Sequence, residues 1–148
     1  MLMNFWHAFR LIVLMLQFLD IFLDVFHTGL VLFILLGWIS SKAREAHFWV
    51  LTGTLIAWLI VGAWIGTIGY CPITDWQWDI KRALGETRLP SSFIKYKLDM
   101  ILGTNLNRHL VDTITGIGMA SVTLIAGWMR IKKSIKKEKE EKQPSAYA

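Results

Sequence analysis

One cysteine and three prolines in 148 residues leave this chain little with which to staple or interrupt itself. A single thiol, Cys71, excludes an internal disulfide framework and any CxxC metal or redox site. Neither glycine nor proline occurs before Gly29, so nothing breaks a helix through the opening of the chain. Also missing are a P-loop, a GxSxG nucleophile turn, a kinase signature and an HExxH pair, which leaves enzymatic activity without sequence support. The start, MLMNFWHAFR, has no basic segment leading to a small-residue cleavage site and reads as retained. No long-period repeat is present, so a solenoid is excluded. Basic residues are not interleaved with aromatics, and no nucleic acid is expected as a partner.

Apolar residues fill the space those absences leave. They make up 54% of the chain, with eight tryptophans, which is too apolar for an ordinary soluble domain of this size. Several runs approach the ~20 residues that cross a bilayer. Backbone groups in hydrocarbon must be satisfied within their own segment, so the spans are expected to be helices. The runs do not fit the ~10-residue alternating strands of a barrel. The expectation is an all-α integral membrane helical bundle: three transmembrane helices plus short amphipathic interfacial helices in an external loop. Residues 1–137 form a single membrane domain in this reading.

The first helix is expected over residues 2–39, with its N-terminal part along or above the outer interface. SSKARE (Ser40–Glu45) is a short polar connection. A second span, 48–69, ends at Cys71-Pro72, because proline lacks a donor and restricts the residue before it. An amphipathic loop, 71–108, contains two short helices, 75–84 and 91–102, the second stopped by Gly103 and both expected to lie flat at the surface. A third span covers 110–129. The basic tail can continue from the last span as a frayed helix before QPSAYA, and residues 138–148 are expected to be a charged, disordered tail.

Formal charge is +5, and nine Lys and Arg residues sit in the first connection and the tail (Lys42, Arg44, Arg130, Lys132, Lys133, Lys136, Lys137, Lys139 and Lys142). The tail packs its charge directly against the last span, so the positive-inside rule puts both segments in the cytoplasm and the long loop outside.

Polar residues inside the first span form a single stripe. Arg10, Gln17, Asp20, Asp24 and His27 fall within an arc of about 100° on a helix and along roughly 26 Å of its length. A carboxylate in hydrocarbon costs at least ~2.5–3.5 kcal/mol, so this face is expected to avoid lipid. The third span begins RHLVDTIT and brings Arg108, His109 and Asp112 to similar depth, with His109 and Asp112 on one face. The expected pocket is therefore Asp20, Asp24, His27, His109 and Asp112, with Arg108 or Arg10 offsetting part of the charge. Cys71, Pro72 and Thr74 are expected to form a turn at its outer edge. The ligand types could hold a metal, but no metal-site spacing accompanies them, and neither metal nor cofactor is expected. A hydrated interfacial stripe and a face for a partner subunit are the alternatives. Cys71 reads as a packed small hydrophobe or a reactive external thiol. His47 reads as an interfacial helix start. Gly62 and Gly66 form a GxxxG that permits close helix contact, within the chain or between copies.

The order of these features resembles domain-of-unknown-function family 2784, a family of small bacterial membrane proteins. The resemblance rests on an Asp shortly before a His and a later glycine (Asp24, His27 and Gly37), and on CPIT (Cys71–Thr74) after the second span. FIKY (Phe93–Tyr96) before the last span completes it. Gln77 stands where the family carries a glutamate, and the family's second-span histidine has no counterpart here. The resemblance carries over no activity; it implies that Asp24, His27 and the Cys71–Thr74 turn belong together on the outer side of a bacterial inner membrane. The leading functional expectation is a non-enzymatic accessory subunit contacting the lipid bilayer and another membrane protein. The rivals are a polar pocket that binds or conducts a proton, ion or small ligand, and an enzyme acting on lipid headgroups.

Overall fold

The computed structural model describes residues 2–142, with side chains from residue 6 onward. All regular structure among them is helical: α1 (Leu2–Leu36), α2 (Arg44–Ile56), a π-helical turn (Ala57–Val61), α3 (Gly62–Ile65), α4 (Pro72–Ala83), α5 (Phe93–Leu102) and α6 (Arg108–Lys142). Three stretches are long and apolar enough to cross a membrane: Trp6–Leu36, Arg44–Ile65 and Arg108–Lys142. The second comprises α2, the π turn and α3 as one continuous rod.

The apolar core sits at one end of these three rods. Ile34 of α1, Leu51 of α2 and Val122 and Ala126 of α6 are buried together, with Leu30, Leu55 and Met119 packed around them. The same end is sealed by two contacts. His47, expected at the interface, is instead completely buried: its Nε2 lies 2.9 Å from the carbonyl of Ile34, near the C-terminal end of α1. A carbonyl in that last turn has no intrahelical partner of its own, and the imidazole supplies one. Gly37 makes this possible. A Cβ there would stand 2.6 Å from the Phe33 carbonyl and 2.8 Å from the His47 ring. Nearby, Arg130 of α6 ion-pairs with Glu45 at 2.7 Å and lies 4.3 Å from the Phe48 ring centre. The start of α2 and the basic end of α6 thus share one end of the molecule.

At the other end, the second span turns back on itself. Gly66 adopts φ +82°; its N–H donates to Ala63 O at 3.3 Å, and Thr67 N–H donates to Gly62 O at 2.7 Å. This is a Schellman C-cap, which needs the left-handed residue that glycine supplies without penalty. The chain then descends beside the helix it has just left, so that Gly69 N–H reaches Trp58 O at 3.3 Å. Gly62 is therefore buried against its own chain, where a Cβ would meet Thr67 O at 2.6 Å. Within the chain, the GxxxG serves a reversal of the backbone.

Of the two short helices, α4 packs antiparallel along α1. The basic tail is helical through Lys142, supported by i,i+4 pairs Lys136–Glu140 and Glu138–Lys142. Expected disorder thus fails for 138–142, and residues 143–148 lie outside the described residues.

Candidate functional site

α4 starts at Cys71, which stands at its N-cap with Pro72 in the first turn, where a missing N–H costs nothing. From there Thr74, Gln77 and Lys81 recur on one face, and all three are buried. Facing them on α1 are Asp20, Asp24 and His27. The helices run in opposite directions, so the two sets pair as rungs. Lys81 Nζ donates to Asp20 Oδ2 at 3.0 Å, Gln77 Nε2 donates to Asp24 Oδ1 at 3.2 Å, and Cys71 Sγ lies 3.6 Å from His27 Nε2.

α5 closes the third side. Ser92 caps it by accepting the N–H of Lys95 at 3.4 Å, and Gly103 at φ +64° ends it. Lys97 pairs with the second oxygen of Asp24. Phe93 stacks on the His27 ring at 3.9 Å between centres, tilted by 18°. Tyr96 donates from its hydroxyl to Glu86 at 2.9 Å, while its ring lies 5.0 Å from Lys81 Nζ. Trp78 holds the two short helices together: Nε1 donates to the Pro90 carbonyl at 2.6 Å, and its ring meets both Phe93 and Tyr96. At the far end of α5, Lys95 binds Asp99 and Asn105, and Asp99 accepts the Leu106 N–H at 2.8 Å, which sets the turn into α6.

These contacts fix the protonation of the groups outside the spans. Burial alone would lower the Lys81 ammonium, but hydrogen bonds to Tyr96, Asp20 and Glu86 outweigh it and hold the ammonium well above the usual lysine value. Burial, assisted by the Glu86 carboxylate, raises Tyr96, although Lys81 opposes this. The Lys95 ammonium and the Leu106 N–H hold Asp99 below the ordinary aspartate value. Lys81 is thus a permanent cation at neutral pH and Tyr96 a neutral donor.

A family model described as Protein of Unknown function (DUF2784) matches residues 17–131. The chain belongs to this family. No curated protein and no solved structure matches it. The DUF2784 match begins just before the first rung of the seam and ends just after Arg130. It therefore takes in the whole seam and the apolar end.

Of the residues expected to form the pocket, the structure brings together Asp20, Asp24 and His27 with Cys71, Pro72 and Thr74 at the start of α4. It does not bring Arg108, His109 or Asp112 to them. All three are exposed on α6, and Arg108 pairs with Asp112 at 3.3 Å one turn away. The reason is competition: α4 already occupies the polar face of α1, and its own lysine supplies the cation that α6 was expected to provide. Arg10 and Gln17 are also exposed, beyond the first rung.

Sequence reasoning missed Gln77, Lys81, Glu86, Phe93, Tyr96 and Lys97 as members of the site. One signal was available. Thr74, Gln77 and Lys81 fall within an arc of about 60° on a helix, a polar stripe opposite in charge to that of α1.

Chemically, the seam is paired except at three polar atoms. Asp20 Oδ1, His27 Nδ1 and Gln77 Oε1 are buried without a hydrogen-bond partner. Among the described residues, no three His, Cys, Asp or Glu side chains converge to hold a metal.

Proposed function

We propose that this membrane protein is a binding protein whose polar seam, between α1, α4 and α5, takes up a small polar ligand. The observation that carries this reading is the set of three buried, unpartnered polar atoms along one seam. Each costs about 1–3 kcal/mol if nothing meets it. The seam favours binding over conduction. Beyond His27 the three spans close on Leu30, Ile34, Leu51, Leu55, Met119 and Val122, and the buried His47 there is engaged with the Ile34 carbonyl. From His27 to Ile34 that seal is about 10 Å thick along α1. The shared end of α2 and α6, with Lys42, Arg44 and the basic tail, supports a cytoplasmic assignment there in a bacterial inner membrane. The seam then opens towards the outside.

The test is a thermal-shift screen of the purified protein against small polar solutes, inorganic cations and lipids, run beside proton-flux assays in liposomes. The reading expects at least one stabilising compound, loss of that effect in Asp24→Asn, and no flux above protein-free liposomes. Flux abolished by Asp24→Asn would replace binding with conduction.

A second reading, the accessory subunit, draws on α1. Its 35 residues reach about 52 Å, against ~30 Å of hydrocarbon. Phe9, Ile12, Leu14, Met15 and Phe18 lie exposed on its N-terminal half. Gentle detergent extraction followed by size analysis tests it. A reproducible second protein of fixed stoichiometry supports the reading, and a lone monomer counts against it.

A further inference from the structure

We propose that the ligand of the seam carries a primary ammonium group, held between Asp20 and Gln77. This rests on reading the seam as a ligand site. Asp20 and Asp24 are one turn apart on α1, and Gln77 and Lys81 one turn apart on α4. With the Asp20–Lys81 and Asp24–Gln77 rungs made, the four residues form a quadrilateral whose edges along each helix measure about 5–6 Å between Cβ atoms. Two oxygens of these residues remain without a partner, Asp20 Oδ1 and Gln77 Oε1, on diagonally opposite residues, both buried and both acceptors. Gln77 is 0% exposed, so its carbonyl cannot turn to bulk water.

The donors nearby are already engaged. Lys81 serves Asp20 and Glu86, Lys97 serves Asp24, and the Gln77 amide serves Asp24. Three carboxylates (Asp20, Asp24 and Glu86) against two lysines also leave the seam one negative charge in excess. The chemistry that complements surplus acceptors and a surplus negative charge is a cationic hydrogen-bond donor. A dehydrated calcium or magnesium ion suits the site poorly, since such ions take about six or more oxygen ligands. A primary ammonium offers three N–H donors and needs few partners. A trimethylated ammonium offers none.

Depth agrees with this choice. Asp20 stands about 24 Å along α1 from Leu36, within ~30 Å of hydrocarbon, so it lies a few ångströms below the headgroups of the far leaflet. Its side chain is 18% exposed. The amine could belong to an ethanolamine phospholipid or to a free primary amine in the water above, and the two sources differ only in what trails behind the ammonium.

Thermal unfolding of the full-length protein in detergent separates these outcomes. The probes are an ethanolamine phospholipid, the choline phospholipid with the same acyl chains, free ethanolamine, free choline and sodium chloride at matched ionic strength. The ammonium proposal expects stabilisation by the ethanolamine lipid and not by the choline lipid. Free ethanolamine alone as the stabiliser also supports it and identifies a soluble source. Gln77→Leu should weaken the apparent affinity about tenfold or more, the loss expected for a hydrogen bond to a charged group. Equal stabilisation by choline compounds, or a response to sodium alone, overturns the ammonium assignment while leaving a ligand site standing. No response to any of the probes, with none in the wider screen, overturns both.

Discussion

A carboxylate held within a membrane helix needs a cation close by, and for Asp20 that cation is Lys81, 3.0 Å away with its side chain only 9% exposed. Removing one partner of such a pair strands the other charge, which costs more than the pair itself contributes. Lys81→Met should therefore destabilise the protein by about 3 kcal/mol in detergent unfolding, and Lys81→Arg by much less. The double variant Asp20→Asn with Lys81→Met should recover most of the loss; additivity of the two single losses would mean that the side chains do not interact. Gly37 is the other residue on which a local geometry depends. With His47 2.8 Å from where its Cβ would be, Gly37→Ala must push α2 from α1 and lower stability by roughly 1–3 kcal/mol, read as a fall in Tm. The stripe Asp20, Asp24 and His27 was legible in the sequence because helical periodicity alone aligns it. The burial of His47 was not, since nothing local tells that a neighbouring helix end needs a donor.

Among the elements, α4 carries the most consequence and was the hardest to place. Its polar composition reads as a surface helix, and only the matching charges on α1 give it somewhere else to lie. The end of α5 at Gly103 was foreseeable, because a left-handed C-cap is a property of a few adjacent residues. The partner of the α1 stripe was not, because choosing α4 over α6 depends on the backbone reversal at Gly66. Docking of α4 and α5 should also have an alkaline limit. Lys81 and Tyr96 both titrate above their ordinary values of 10.5 and 10.0 when folded. A group raised by folding contributes stability that is complete below its unfolded value and is lost as pH rises through the folded one. Melting temperatures should hold steady at neutral pH and fall once pH passes those ordinary values. Replacing both groups, as Lys81→Arg with Tyr96→Phe, should flatten that fall. An unchanged alkaline slope in the double variant would show that other groups set it.

At the scale of the whole molecule, the structure divides along its length. One end is an apolar three-helix contact sealed by His47 and Arg130, and the other is a charged seam built from one span and two short helices. The helical class and the three spans followed from hydropathy and length, which depend on composition more than on contacts. The division did not, because it requires knowing which helices touch. The seam depends on α4 lying antiparallel on the polar face of α1. Site-directed cross-linking checks that placement, using paired cysteines at Asp24 and Gln77 in a Cys71→Ser background with a short thiol-specific cross-linker. The pairing seen here requires efficient cross-linking of Asp24→Cys with Gln77→Cys, and little of Asp24→Cys with Asp79→Cys on the exposed face of α4. The opposite pattern, or efficient cross-linking of Asp24→Cys to His109→Cys on α6, would contradict it.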